Sequence, residues 1–138
     1  MNYITNDEAI ATAVKYMRDK GWYVRHSQWE YDHRHIDLIC IDSNMSMIAF
    51  VEVTNNGRMV SPSLDDIITT AAIYVREYHV ENIPVRFDRI SINTLSDGSM
   101  SIKHIENTRK TIDPYTFYEQ MRDRQRVQNM FVNKPINS

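Results

Sequence analysis

The centre of the chain contains two short apolar segments separated by a polar break. Residues 35–41 and 47–54 are rich in Ile, Val and Phe, and polar residues occupy positions 42–44. Short runs of β-branched and aromatic residues on both sides of a turn sequence are typical of two paired strands. The pattern therefore predicts a β-hairpin at the middle of the chain.

This hairpin fixes the position of one acidic residue in each strand. With Ser43–Ser46 as the loop, Asp37 lies directly opposite Glu52, whereas a two-residue loop makes them diagonal neighbours. Because side chains alternate between faces, both arrangements leave the carboxylates on one face, with Cβ atoms roughly 5 to 8 Å apart. Thr54 belongs to the same face.

Two like charges this close are unfavourable when buried unless a cation or a proton neutralises them. A divalent metal would do so, because carboxylate oxygens, a backbone carbonyl and water are ligands that Mg²⁺ accepts. The alternative is structural: acids at strand ends are often solvated or paired with arginine. The spacing leaves both interpretations open.

Periodic segments on both sides of the hairpin predict the other elements. Helices are expected at residues 6–20, at 61–79 and from Asp113 onward, and strands at 22–30, 84–94 and 100–105. A capping box, Thr5-x-x-Glu8, precedes the first helix and Gly21 follows it. The order α-β-β-β-α-β-β-α predicts an α/β protein, with a mixed sheet of about five strands and two long helices packed on it.

Composition narrows the class of protein. The 138 residues are 42% hydrophobic and 25% charged, which suits one soluble domain, and the single cysteine, Cys40, excludes a disulfide framework and a cysteine zinc site. The N-terminus lacks a secretory pattern, and apolar runs are too short to span a bilayer. We therefore expect a cytoplasmic protein without a membrane partner. The net charge of −2 limits DNA binding to local, salt-sensitive basic clusters.

Several motifs together resemble a known family. They are Gly21-Trp22, Ile36-Asp37-Leu38-Ile39, Phe50-Val51-Glu52-Val53-Thr54, residues 71–75 and Pro84-Val85-Arg86-Phe87-Asp88. In their order and spacing they are similar to the YraN-like family of small PD-(D/E)xK nuclease-fold proteins, over about residues 5–93. The resemblance implies a restriction-endonuclease-like core, related to Holliday-junction resolvases. In that core the strand acid and the E-x-K acid bind metal, and the lysine supports the attacking water.

The chain departs from this pattern at several functional positions. The helical Gly-Glu corresponds to Ala9 and Ile10, the E-x-K lysine to Thr54, the Gly-Glu before Ile-Asp to Arg34 and His35, and the basic residues at the start of the second helix to Asp65 and Asp66. Glu8 is a potential substitute for the helical acid. The motif is therefore degenerate, with Asp37 and Glu52 retained.

The resemblance implies an exposed loop beside the site for Tyr31–His35. Two imidazoles in this segment suggest a transition-metal site, but His33 and His35 share a strand face only if the segment is extended. His35 is the better functional candidate because, in an extended chain, it lies on the face of Asp37. There it would transfer protons or contact phosphate. The alternation over residues 84–94 makes Asp88 a strand residue, which we expect to pair with Arg86 or Arg89.

Two parts of the chain are expected. Residues 1–108 form the nuclease-like domain, and residues 109–138 form a helical extension packed on that domain or on a partner subunit in a homodimer. The extension is expected to bury Tyr115, Phe117, Tyr118 and Met121 and to expose Arg122, Arg124 and Arg126. The arginine side would also suit a nucleic acid.

Two functions are consistent with these observations, and they leave open whether the chain is an enzyme. The first is a divalent-metal-dependent endonuclease-like protein acting on branched DNA, with weak or lost activity. Its expected site comprises Asp37, Glu52 and the Val53 carbonyl as ligands of Mg²⁺ or Mn²⁺, Thr54 or His35 to orient water, and Arg34 and Arg58 to contact DNA. The alternative is a catalytically inactive nuclease-fold module for binding or assembly.

Overall fold

The computed structural model describes residues 3–61, 67–108 and Glu119. The elements, in chain order, are α1 (Asn6–Asp19), β1 (Tyr23–Tyr31), β2 (Arg34–Ile41), β3 (Ile48–Asn55), β4 (Arg58–Met59), α2 (Ile67–Glu77), β5 (Val85–Thr94) and β6 (Met100–Ile105). The predicted α/β class is confirmed. The order differs from the prediction by the two-residue strand β4, which is too short to produce a periodic signal.

The strands form one mixed sheet. Its order is β1-β2-β3-β5-β6, and β4 pairs with β3. Strands β3 and β5 are parallel and are connected through the segment that contains α2, whereas the other pairs are antiparallel. A parallel pair needs such a crossover, because its strands run in the same direction. The arrangement is consistent with the nuclease-like fold that the sequence resembles.

The two helices cover opposite faces of the sheet. The α1 face includes Leu38, Val51 and Ile90, and the α2 face includes Phe50 and Phe87, so alternate residues of each strand enter different clusters. Tyr74 of α2 is fully buried in the second cluster. The spacing of Tyr74 from Ala71 and Tyr78 suits this face of the helix.

Local capping explains the bounds of α1. The Thr5 hydroxyl accepts the Glu8 N–H at 3.1 Å, and the Glu8 carboxylate accepts the Thr5 N–H at 3.3 Å. At the other end, Gly21 has a φ of 94° and Trp22 N–H donates to Met17 O at 3.0 Å. The capping box and the glycine C-cap are thus confirmed.

The central hairpin has the register that the four-residue loop predicts. Leu38 pairs with Val51, and Ile41 pairs with Ile48. Asp42 stabilises the loop, because its carboxylate accepts hydrogen bonds from the Ser46 hydroxyl and from the Ser46 and Met47 N–H groups. The bond from the Ser46 hydroxyl is the largest cause that lowers the pKa of Asp42, and the two N–H bonds add to it. The polar break therefore encodes the register.

The predicted loop at Tyr31–His35 is exposed as expected at its turn but is shorter than predicted. Tyr31 ends β1, Arg34 begins β2, and the turn consists of Asp32 and His33 alone. Both turn residues have positive φ, 48° and 65°, as a tight two-residue hairpin turn requires. His35 is therefore a strand residue, which fixes its direction relative to Asp37.

Several bounds differ from prediction by one or two residues. Strand β1 covers Tyr23–Tyr31 rather than 22–30, and α2 ends at Glu77 rather than near His79. Positions 62–66, which include Asp65 and Asp66, lie outside the described residues. The predicted extension at 109–138 also lies outside them, except for Glu119, which is helical. The described helices include no segment long and apolar enough to cross a membrane.

Candidate functional site

The acid pair lies where two strands separate. Backbone pairing between β2 and β3 extends only to Leu38 and Val51, and beyond this point β3 pairs with β4. The Asp37 side chain occupies the resulting fork: its Oδ2 accepts the Val53 N–H at 2.8 Å. A side-chain carboxylate thus replaces the backbone carbonyl that an uninterrupted ladder would supply. This bond satisfies a buried N–H and holds Asp37 in place.

Asp37 is 4% exposed and is bound by neutral or weakly basic groups. His35 Nε2 lies 2.9 Å from Asp37 Oδ1, and His35 Nδ1 lies 3.8 Å from the Glu30 carboxylate. Burial raises the pKa of Asp37 above its usual value, and hydrogen bonds from Val53, His35 and Ser61 only partly offset this effect. Within residues 3–61 and 67–108, the hydrogen-bond partners of Asp37 therefore include no arginine or lysine.

Glu52 has such a countercharge. It pairs with Arg89 in the parallel register of β3 and β5, and Arg89 Nη2 lies 3.1 Å from Glu52 Oε2. The Glu52 side chain is 21% exposed. An arginine thus neutralises one of the two acids, which is the structural alternative that the spacing left open. The sequence did not assign Arg89 to Glu52, because the parallel partner of β3 depends on the crossover.

A small pocket connects the two acids. It has a volume of about 40 Å³ and is lined by His35, Ile36, Asp37, Glu52, Met59, Ser61 and Ile67. This volume is enough for an ion or a water molecule, since a water needs about 10–15 Å³. The hairpin and the fork therefore bring together the two acids and His35, as the sequence predicted for their shared face.

The donor set suits a hard cation that keeps much of its hydration. Within residues 3–61 and 67–108, no three His, Cys, Asp or Glu side chains form a metal-binding group. Mg²⁺, however, is commonly bound by one or two carboxylates and several waters. Asp37 and Glu52 can supply those carboxylates. The Val53 carbonyl already accepts the Val60 N–H at 3.0 Å, which leaves one of its two lone pairs.

Thr54 is buried and lies in β3 opposite Met59 of β4. It shares the face of Glu52, but its hydroxyl carries no charge. The position of the E-x-K lysine therefore provides no cation. The nearest charged donor to Glu52 in the described residues comes instead from β5.

The two arginines predicted to contact DNA occupy different places. Arg58 lines a groove of about 500 Å³ with Tyr3, Asn6, Asn55, Asn56 and Met59. Met59 also lines the acid pocket, so the groove adjoins it. Arg34 begins β2 opposite Tyr31, at the end of the strand that carries Asp37. Arg58 therefore lies in a groove that shares Met59 with the acid pocket. Arg34 lies on the same strand as Asp37, next to His35 in sequence.

Other sequence candidates have structural roles. His33 occupies the exposed β1–β2 turn and does not line the acid pocket. Glu8 accepts the Thr5 N–H in the capping box, and Ala9 and Ile10 pack in the α1-face cluster. Glu8 therefore does not replace the missing helical acid at the pocket, which lies towards α2.

A second buried acid lies on the α1 face. Asp88 accepts two hydrogen bonds from Arg86, at 2.9 and 2.8 Å, and lies 2.8 Å from His104 Nε2. The Asn107 N–H adds a further bond at 3.2 Å. The predicted Arg86–Asp88 pair is therefore present. Sequence reasoning missed His104, although the strands predicted at 84–94 and 100–105 place it opposite β5.

Comparisons with known proteins agree with the resemblance. The model of a family described as "Uncharacterised protein family UPF0102" matches residues 9–92. A UPF0102 protein of Porphyromonas gingivalis is 31% identical over 103 residues, covering 69% of this chain and 76% of the relative. A UPF0102 protein of Parabacteroides distasonis is 26% identical over 107 residues, covering 72% and 87%. One from Fervidobacterium nodosum is 30% identical over 103 residues, covering 69% and 74%.

The matched region, residues 9–92, begins in α1 and ends in β5, and it contains both acids of the pocket and the fork between β2 and β3. The family match and the site therefore coincide along the chain. This protein belongs to the UPF0102, or YraN-like, family.

Proposed function

We propose that this chain is an endonuclease-like protein that binds one divalent cation, Mg²⁺ or Mn²⁺, and whose hydrolysis of DNA is weak or lost. Asp37 and Glu52 would hold the ion, with the remaining lone pair of the Val53 carbonyl and water as further ligands. The observation that carries the proposal is the pocket of about 40 Å³ that both carboxylates line. Branched DNA is the first substrate class to test.

A divalent ion bound there would polarise a phosphoryl oxygen and activate a water. The residues of the chain would supply position and proton handling. His35 is in contact with Asp37, and its imidazole, which can donate and accept a proton, suits proton transfer. Arg58, in the adjoining groove, would contact the nucleic-acid backbone. Thr54 lacks the charge of a lysine, which favours slow hydrolysis.

A second candidate is a nuclease-fold module that binds or assembles without hydrolysis. The contact between Arg89 and Glu52 favours it, because a carboxylate paired with arginine at 3.1 Å needs no metal for neutralisation. The absence of a lysine at position 54 points in the same direction. The two candidates differ in one measurable property, which is metal binding at the acid pair.

Calorimetric titration with Mn²⁺ separates them. We expect binding heat in the wild type, and we expect it to disappear in Asp37→Asn and in Glu52→Gln. Asp97→Asn is the matched control, since Asp97 lies in the β5–β6 turn and its carboxylate binds Ser99. Unchanged binding in both pocket variants would exclude the site, and absence of heat in the wild type would favour the non-hydrolytic module.

A further inference from the structure

Arg89 on β5 is a charged residue that the nuclease pattern does not include. It is the register partner of Glu52, so the two side chains extend from the same face of the sheet. The Arg89 side chain is 43% exposed, twice the fraction of Glu52, while its Nη2 contacts the Glu52 carboxylate. The guanidinium is therefore anchored at the candidate site and still accessible from solvent.

The charges near the pocket are ordered across the sheet. Asp37 lies on β2, Glu52 on β3 and Arg89 on β5, which are successive strands; β3 and β5 are paired at Glu52 and Arg89, whereas β2 separates from β3 at Asp37. Two acids and then one cation therefore occur in this order across the sheet, from β2 to β5. Position 54, where a lysine is expected, holds the uncharged Thr54 two residues farther along β3. Arg89 places a positive charge beside Glu52 from the neighbouring strand.

The hydrogen-bonding capacity of Arg89 is largely unused. A guanidinium carries five N–H donors in a planar fork. Among the described residues, the bond to Glu52 is its one hydrogen bond, and its buried Nε has no acceptor. Planar N–H pairs of this kind bind phosphate oxygens well. The remaining N–H donors of Arg89, which lie beside the acid pair, are therefore suited to an anionic ligand.

We infer that Arg89 supplies the positive charge that position 54 lacks, by orienting the Glu52 carboxylate and donating hydrogen bonds to a phosphate of a nucleic-acid backbone. The inference rests on the proposed function, because it places the backbone at the same pocket. A guanidinium stays protonated at neutral pH, so Arg89 does not remove a proton from water. Its role is to hold Glu52 and to contact the phosphate.

The test is DNA binding as a function of salt. The affinity of a fluorescent four-way DNA junction is measured by anisotropy from low to moderate NaCl, for the wild type, Arg89→Gln and Arg89→Lys. Loss of one phosphate contact should weaken binding about tenfold and reduce the salt slope by about one. Arg89→Lys should retain the slope. Arg76→Gln is the matched control, because Arg76 lies on α2 and contacts Glu77.

A double variant tests whether the two positions supply the same charge. Thr54 shares the face of Glu52, so Thr54→Lys combined with Arg89→Gln should recover the affinity and the slope lost in Arg89→Gln. The inference is overturned if Arg89→Gln behaves like Arg76→Gln, if the double variant recovers nothing, or if the wild type does not bind the junction.

Mn²⁺ calorimetry on the same variants keeps this inference separate from the proposed function. Arg89→Gln should still bind Mn²⁺, at least as tightly as the wild type, since Asp37 and Glu52 remain and the cation that competes with a metal for Glu52 is removed. If the wild type binds Mn²⁺ and Arg89→Gln leaves the salt slope unchanged, the role of Arg89 is refuted and the metal site is retained. A reduced slope without metal binding in the wild type would refute the metal site and retain Arg89 as a DNA contact.

Discussion

Asp37 and Asp88 are two buried aspartates in similar surroundings with different consequences. Each is almost fully buried, each contacts a histidine, and each accepts a backbone N–H. Asp88 also receives two bonds from the Arg86 guanidinium, whereas the guanidinium of Arg89, at the other acid pair, contacts Glu52. Both aspartates are in the sheet core, so burial alone does not distinguish a structural acid from a functional one.

The difference is in the number of strong donors. Four hydrogen bonds occupy the two Asp88 oxygens, and one of its donors is a bidentate guanidinium, the geometry typical of a stable buried ion pair. No guanidinium of the part of the chain that the structure describes binds Asp37 in this way, and burial raises the pKa of Asp37. A carboxylate left with this deficit can be stabilised by a proton or a metal. The comparison therefore supports the proposal that a ligand binds at Asp37 and not at Asp88.

The largest expected effect is a loss of stability when Asp88, the aspartate paired with arginine, is replaced. Asp88→Asn leaves Arg86, whose side chain is only 14% exposed, without its countercharge, and removing one partner of a buried ion pair costs about 3 to 5 kcal/mol. Urea denaturation should show this loss in the free energy of unfolding. Glu106→Gln is the control on the same arginine, because its exposed carboxylate is 3.9 Å away and should contribute less than about 1 kcal/mol. Equal effects would contradict the comparison.

The next effect concerns metal-dependent stability. If the acid pair binds Mn²⁺, a free concentration of about 100 times the dissociation constant should raise the free energy of unfolding by about 2.7 kcal/mol. The measurement is urea denaturation with and without Mn²⁺. Asp37→Asn should abolish the increase, whereas Asp97→Asn should retain it. An increase that persists in Asp37→Asn would place the bound ion elsewhere.

A smaller effect is expected in the pH dependence of stability without metal. Because the pKa of Asp37 is raised in the folded protein, its contribution is complete below the unfolded pKa of about 3.9 and is lost as pH rises through the folded pKa. The wild type should therefore lose stability relative to Asp37→Asn above about pH 4. Denaturation curves at several pH values measure this difference. A difference that grows in favour of the wild type with rising pH would show the opposite shift.

The smallest expected change is in hydrolysis. Thr54→Lys restores a lysine beside Glu52 and should raise cleavage of branched and linear DNA above background in Mg²⁺ or Mn²⁺. Gel assays on both substrates measure it, with Thr54→Lys combined with Asp37→Asn as the inactive control. If cleavage stays at background, the missing lysine does not suffice as the explanation and the missing helical acid must also contribute.

Local signals predicted the elements whose partners are close in sequence. The capping box and Gly21 predicted α1, and the loop at 43–46 predicted the register of β2 and β3. The same hairpin placed Asp37, Glu52 and His35 at one pocket. These features depend on hydrogen bonds and alternation over a few residues, which a single sequence displays.

The contacts that distinguish the two aspartates depend on distant pairing. Glu52 meets Arg89 because β3 and β5 are parallel neighbours, and His104 reaches Asp88 through the β5–β6 register. The sequence alone does not show which strand becomes the parallel neighbour of β3 after the crossover connection. Strand β4 and the fork at Val53 were also missed, because two residues are too few to form a recognisable period.

The bond between Val53 N–H and Asp37 makes one amide a reporter of the site. The hydrogen of a backbone amide responds in its NMR chemical shift to the charge of the group that accepts it, and here that group is the Asp37 carboxylate at 2.8 Å. Protonation of Asp37 or capture of a cation should therefore move the Val53 signal, while the neighbouring amides of β3 report on the sheet. The NMR signal of the Val53 amide should therefore report, in solution, whether Asp37 is protonated or has bound a cation.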